Sequence, residues 1–349
     1  MIYRLNDLLK KTDGIVLTSP YNMQYFSGFS GGEGAILITE NERILFTDSR
    51  YTEQAMAEAK EFKVKETNNY LNSVCEDVKA FGLAKIGFED GHLTAAQYRN
   101  ICECLKGMNL ISLSLELNRL RMVKTAQELE KMRIAEDVAC RAFRHVLQFI
   151  KVGVAERDIA LEIEYFMRKC GSDGISFDTI VVSGKKTSLP HGKPDGKLIE
   201  NGDFVTMDFG CIMDGYCSDM TRTVVVGKAS EEQKKIYNIV KAAQQTGLDA
   251  ICAGISGKDA DSAAREVIEK EGYGKYFGHS LGHGVGLLVH ELPNLSPRSD
   301  IILEENMVVS CEPGIYIPDF GGVRIEDMVC VKKNGIENFT YETKELIEL

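Results

Sequence analysis

The chain has 349 residues, with 41 Lys+Arg against 52 Asp+Glu and a formal net charge of −11. Its 44% hydrophobic and 27% charged content is that of a globular enzyme and excludes disordered or collagen-like chains. The acidic balance excludes a general nucleic-acid or anionic-membrane binder, and the length predicts two domains or one large one.

The N-terminal stretch MIYRLNDLLKKTDG carries Arg4, Asp7, Lys10 and Lys11 where a signal peptide needs an apolar core. No window reaches the roughly 18 apolar residues of a membrane helix, so a cytoplasmic protein without a membrane partner is expected. From Ile15 to about Leu110, short apolar runs alternate with helical stretches. GIVLT, GAILIT, RILFTD and KIGFED read as strands, and SRYTEQAMAEAK and LTAAQYRNICECLKG as helices, which predicts an α/β unit with a mixed or parallel sheet. Residues 118–124, NRLRMVK, are basic and patternless, and the domain boundary is placed there, giving domains 1–120 and 121–349. The ten cysteines lack CxxC spacing, which argues against disulfides and structural zinc.

Beyond the boundary, Thr125 and Glu128 spell a capping box at the start of a long helix. Helices are predicted near 125–150, 155–170, 231–253 and 258–271. Strands are predicted near 175–183, 203–210, 217–226, 307–316 and 322–332, so this part is an α+β layer. The blocks 125–226 and 231–332 read alike, each two helices followed by a strand pair bearing two acids, a pattern that internal duplication would produce.

Those acids suggest chemistry. If 208 pairs with 219 across a hairpin, Asp208 and Asp219 stand opposite each other on the face shared by Thr206, Thr221 and Thr223. Like charges so placed call for a divalent cation or a shared proton, unless one of them turns to solvent at a strand end. Glu312 ends an apolar strand before a Pro-Gly turn. Glu326 lies mid-strand on the face of Arg324, where burial is costly unless a partner such as Arg324 forms a salt bridge. Between the pairs, GHSLGHGVGLLVHELP places His283 in a glycine-rich segment that allows close backbone approach. Four carboxylates with one imidazole form a donor set for two metal ions, oxygen-rich enough to favour Mn²⁺ over structural zinc. Four of the six histidines, His191, His279, His283 and His290, fall within one hundred residues.

The order Asp208, Asp219, His283, Glu312, Glu326, in the spellings MDFG, SDMTRT, GHGVG, HELP, EPGIY and RIEDM, resembles the M24-type pita-bread metallopeptidases. YNMQYFSGF and LFTDSRYTEQA resemble the creatinase-type N-terminal domain of the proline-directed branch. The resemblance implies an α+β pita-bread catalytic domain preceded by an α/β creatinase-type domain. It implies two divalent metal ions, Mn²⁺ first with Co²⁺ or Zn²⁺ as alternatives, held by Asp208, Asp219, His283, Glu312 and Glu326. By the same resemblance, His191 and His290 contact the substrate, Glu312 also shuttles a proton, and His279 and Arg324 line the site, whereas His92 and His145 lie outside it. The implied activity is release of the N-terminal residue from Xaa-Pro peptides, an Xaa-Pro aminopeptidase. The alternative is an Xaa-Pro dipeptidase (prolidase) restricted to dipeptides. Metal-free creatinase and a non-catalytic pita-bread binding protein rank lower because all five ligand positions are intact. Small peptides with proline second are the expected partners, with no nucleic acid and no membrane, and the family favours a homodimer.

Overall fold

A computed structural model describes residues 1–349, which separate into two units, Met1–Leu120 and Arg121–Leu349. The first begins with α1 (Asn6–Leu9), β1 (Gly14–Leu17), α2 (Pro20–Ser27), β2 (Ala35–Thr39), β3 (Arg43–Thr47) and α3 (Thr52–Glu58). It continues with β4 (Lys63–Glu66), α4 (Tyr70–Ala80), β5 (Lys85–Phe88), α5 (Ala95–Cys104), β6 (Asn109–Ser112) and α6 (Ser114–Met122). The strands form one mixed sheet in the order β4-β3-β2-β1-β5-β6. β1, β2 and β3 pair antiparallel, and the remaining neighbours pair parallel. The central strands are buried and apolar except for Thr39 at the end of β2, while α4 and α5 close a core that includes Val16, Leu37, Phe46, Val74 and Ile101. The basic stretch 118–124, read as patternless, is helical over most of its length, because α6 runs through it to Met122.

The second unit opens on α7 (Ala126–Val146), whose capping box forms as spelled: the Thr125 hydroxyl accepts from Glu128 N and the Glu128 carboxylate from Thr125 N. It is followed by α8 (Glu156–Lys169), β7 (Gly174–Ile175), β8 (Ile180–Ser183), β9 (Phe204–Phe209), β10 (Cys211–Met213), β11 (Tyr216–Cys217) and β12 (Met220–Val225). The apolar faces of α7 and α8, with Phe143, Val146 and Ile163, pack on Val205 and Met207 of the antiparallel sheet β12-β9-β8. A second helix pair, α9 (Glu231–Ala250) and α10 (Gly257–Lys270), precedes β13 (Gly282–Gly284), β14 (Glu291–Leu295), β15 (Val308–Cys311) and β16 (Gly314–Ile317). β17 (Gly321–Arg324), β18 (Asp327–Lys332) and β19 (Gly335–Asn338) are the last strands. Here the sheet order is β14-β13-β15-β18-β19, with β16 and β17 as a separate pair. The two halves thus repeat one order, helix pair then antiparallel strands.

Two expectations about registry are corrected. Asp208 pairs with Thr221, not with Asp219. The reversal is tighter than a four-residue loop: Asp214 and Gly215 both take positive φ, 48° and 82°, as a two-residue primed turn requires. That moves the register by two residues, which keeps both acids on one face but sets them diagonally. Glu326 is also not mid-strand. Pairing stops between β17 and β18, and the Glu326 amide donates to the Thr221 carbonyl at 3.1 Å instead.

Candidate metal centre

Each acid stands where a strand ends or breaks. Asp208 lies near the end of β9, Asp219 just before β12, Glu312 just after β15, and Glu326 in the gap before β18. Strand ends bring side chains together from different sheets, and all nine residues singled out from the sequence line one cavity of about 1210 Å³: His191, Asp208, Asp219, His279, His283, His290, Glu312, Arg324 and Glu326. Asp219, His283 and Glu326 each present a ligand atom within 4.8 Å of the others, a spacing that suits one cation. His145 lies apart, ion-paired with Glu162 at 2.6 Å.

The acids have too few hydrogen-bond donors for their number. Arg324 gives one nitrogen to Asp208 Oδ2 at 2.6 Å, leaving Asp208 Oδ1 buried with no partner. The Thr221 hydroxyl donates to Glu326 at 2.7 Å and the Ser310 hydroxyl to Glu312 at 3.2 Å. Asp219 Oδ2 meets only His283 Nε2, at 3.6 Å. Arg324 therefore pairs with Asp208, and the plain Arg324–Glu326 salt bridge that was the alternative to metal binding does not form. The break after β17 turns Glu326 towards Thr221, while the guanidinium spans Thr221 Oγ1 at 3.0 Å and Asp208. Burial, reinforced by the neighbouring carboxylates, pushes Asp208 above the ordinary range and Asp219 and Glu326 well above it. Burial acts the same way on Glu312, but the hydrogen bond and charge of His283, 3.3 Å away, draw it down to about 2. His283 is raised because the attraction of Glu312 outweighs its own burial.

A site that buries carboxylates against one another, raises three of them above their ordinary range and leaves one buried oxygen unpartnered matches a divalent cation. The imidazole agrees with this. His283 Nδ1 lies 3.2 Å from the Gly284 carbonyl, so Nδ1–H donates there and Nε2 is the ring nitrogen that faces the acids, where a cation would take the place of its proton.

The surrounding polar groups are tied to the same centre. Tyr316, which sequence reasoning missed, accepts from Arg324 at 2.8 Å and donates to His279 Nε2 at 2.9 Å. His279 Nδ1 in turn donates to the Ser280 carbonyl at 2.8 Å, and burial lowers the pKa of its ring. Arg324 also reaches the Pro190 carbonyl at 3.3 Å, beside His191. The His290 ring sits 4.2 Å from that of His283 on an otherwise exposed residue, and partial desolvation on its cavity side together with His283 lowers its pKa. Thr221, Ser310 and Tyr316 gave one signal in the sequence: each lies two or four residues from an acid, on its strand or just beyond the following turn.

With this geometry in place, residues 130–333 match the model of metallopeptidase family M24, and residues 2–123 match the creatinase/prolidase N-terminal domain. The chain belongs to metallopeptidase family M24. It is a hydrolase of pita-bread fold with a creatinase-type first domain, and M24 metallopeptidases use divalent metals. The chain is similar to a solved Xaa-Pro dipeptidase from Bacillus anthracis, with 44% identity, TM-score 0.96, and 100% of this chain and 99% of that one covered. It is also similar to an X-Pro aminopeptidase from Thermotoga maritima, with 40% identity, TM-score 0.91, and coverage of 99% and 100%. An Xaa-Pro dipeptidase of Pyrococcus furiosus is 38% identical over 99% of both chains. No helix is long and apolar enough to cross a membrane.

Proposed function

We propose that this M24 enzyme is an Xaa-Pro dipeptidase that hydrolyses the bond before proline with two divalent ions, Mn²⁺ by preference, held by Asp208, Asp219, His283, Glu312 and Glu326. The observation that carries the reading is the cavity in which four donor-poor carboxylates face one imidazole nitrogen. The dipeptidase reading replaces the aminopeptidase expectation because relatives similar over their whole length carry that name. The Thermotoga maritima protein keeps aminopeptidase activity as the second reading.

When bound, the ions supply Lewis acidity, which activates water at neutral pH and polarises the scissile carbonyl. The chain does the rest. Glu312 takes the proton released as water attacks and delivers it to the proline nitrogen as the C–N bond breaks, from its place on the cavity wall just after β15. His290 and His191, on the cavity wall, donate hydrogen bonds to the oxyanion of the tetrahedral species. Arg324 holds Asp208 in place. Arg298 lines the same cavity and makes no ion pair, so it is the cation available to the free carboxylate of a dipeptide. Proline's nitrogen brings no N–H to this wall, which lets an apolar surface select it.

Metal-loaded protein is tested against Ala-Pro, Ala-Pro-Ala and Ala-Ala. Cleavage of Ala-Pro alone is the expected result. Equal cleavage of Ala-Pro-Ala gives the aminopeptidase reading, and equal cleavage of Ala-Ala refutes proline selectivity.

A further inference from the structure

Next to His290 lies a buried charge cluster that the proposed chemistry does not use. Glu291, whose side chain is 4% exposed, receives Lys124 Nζ at 2.9 Å and Arg121 Nε at 3.5 Å, and those side chains are 1% and 4% exposed. Burying three such groups costs desolvation that their attraction only partly returns, so a cluster of this kind adds little to stability. Its other documented use is to fix one arrangement among several.

The arrangement at stake is the turn that carries His290. β14 bulges against β13: His283 pairs with Asn294, but Gly284 pairs with Glu291, so Leu292 and Pro293 are extra. Glu291 stands at the edge of that bulge, immediately after His290. Two glycines of the GHGVG segment make room for it. A Cβ at Gly286 would lie 2.2 Å from the Glu291 carboxylate, and one at Gly284 would lie 2.4 Å from the Leu292 carbonyl. Lys124 is fixed from the other side. Its amide donates to the Asn306 carbonyl at 2.9 Å, and Val123 bridges Met307, at the entry to β15, the strand that leads to Glu312.

We propose that Glu291, Lys124 and Arg121 are positioning residues for His290. By pinning the β14 bulge to the first residues of the catalytic unit, they hold the His290 ring beside His283. The inference rests on the reading that His290 meets the substrate.

The test uses full-length, Mn²⁺-loaded protein with Ala-Pro. Lys124→Met and Glu291→Gln are expected to lower kcat at least tenfold, with KM and the Mn²⁺ dissociation constant each within twofold of the parent. Lys124→Arg, which keeps the charge, is expected to recover kcat to within threefold. In the background of His290→Ala, Lys124→Met is expected to cost nothing further, because its target is gone. Should Glu291→Gln fail to fold, Lys124→Met carries the test alone. Parental kcat in Lys124→Met, an additive loss in the double variant, or a parallel fall in Mn²⁺ affinity overturns the proposal. If the parent leaves Ala-Pro intact, the substrate reading fails instead. The proposal is then read in metal-free protein from the His290 imidazole ¹⁵N resonances, assigned by His290→Gln. These are expected to shift in Lys124→Met, and unchanged resonances refute it.

Discussion

The two units bury carboxylates under opposite rules. In the first, Glu89 at the end of β5 is 2% exposed and accepts from the backbone amides of Thr18 and Ser19, the latter at 2.8 Å, and from the Asn22 side chain. These donors sit where α2 begins, so one acid satisfies a helix start and its own charge together. In the second, Asp208, Asp219, Glu312 and Glu326 crowd one cavity with one guanidinium, one imidazole and two hydroxyls among them. Asp327, one residue after Glu326, shows that the second unit can also satisfy a buried acid. Burial favours its neutral form, yet Arg222 and Lys344, at 2.8 and 3.0 Å, hold it below the usual range. A buried carboxylate with a complete set of donors is therefore structural, and four that share too few mark a place for cations.

That contrast can be broken from both sides. The largest effect is expected at the donor-poor acids. Asp219→Asn should lower kcat/KM for Ala-Pro by about a thousandfold, several kcal/mol of lost stabilisation, because a cation ligand is gone. The melting temperature of the metal-free protein should hold or rise at pH 7, because repulsion among the acids is relieved. A metal-free melting temperature that falls steeply would place Asp219 with Glu89 instead. Glu312→Ala should cost a comparable factor, about 10²–10⁴-fold in kcat, as a cation ligand and the proton carrier are lost together, and retention of more than a tenth of parental activity refutes those roles. Glu89→Ala should show the reverse profile. It should lose about 1–3 kcal/mol of stability in urea unfolding through the donors it leaves unpaired, with turnover per folded molecule unchanged.

Glu136 lies between the two cases and gives the smallest effect. It is fully buried on α7, accepts from the Thr340 hydroxyl at 2.5 Å and the Asp219 amide at 3.2 Å, and burial pushes it up to about 8. Because its folded pKa lies above its unfolded value, it contributes stability below about pH 4.5 that is lost as pH rises to about 8. Glu136→Gln gives up one acceptor but does not titrate. The variant should therefore melt below the parent at pH 5, with the gap closing or reversing by pH 8. A gap independent of pH refutes the titration.

What could be read in advance was set by side-chain alternation and residue identity. The alternation of β9 and β12 placed Asp208 and Asp219 on one face, yet their pairing depended on whether the turn used two residues or four, which alternation does not encode. The spelling RIEDM likewise concealed a break in strand pairing, and with it the true partner of Arg324. In the first unit the apolar central strands were plain, whereas KVKE and NLIS, β4 and β6, escaped notice. They form the two edges of the sheet, where only half the residues are covered and the hydrophobic signal halves with them. Tyr316 and Ser310 left little trace because their importance lies in which atoms they reach across the fold.

The central claim is that the shortage of donors among the four acids is met by divalent ions that the reaction requires. It is tested most directly by titrating chelator-treated protein with Mn²⁺ while following both heat of binding and Ala-Pro hydrolysis. No turnover is expected before addition, with two equivalents bound and activity that rises with occupancy in the parent and stays about a thousandfold lower in Asp219→Asn. Full turnover in the metal-free protein, or unaltered binding in Asp219→Asn, would contradict it.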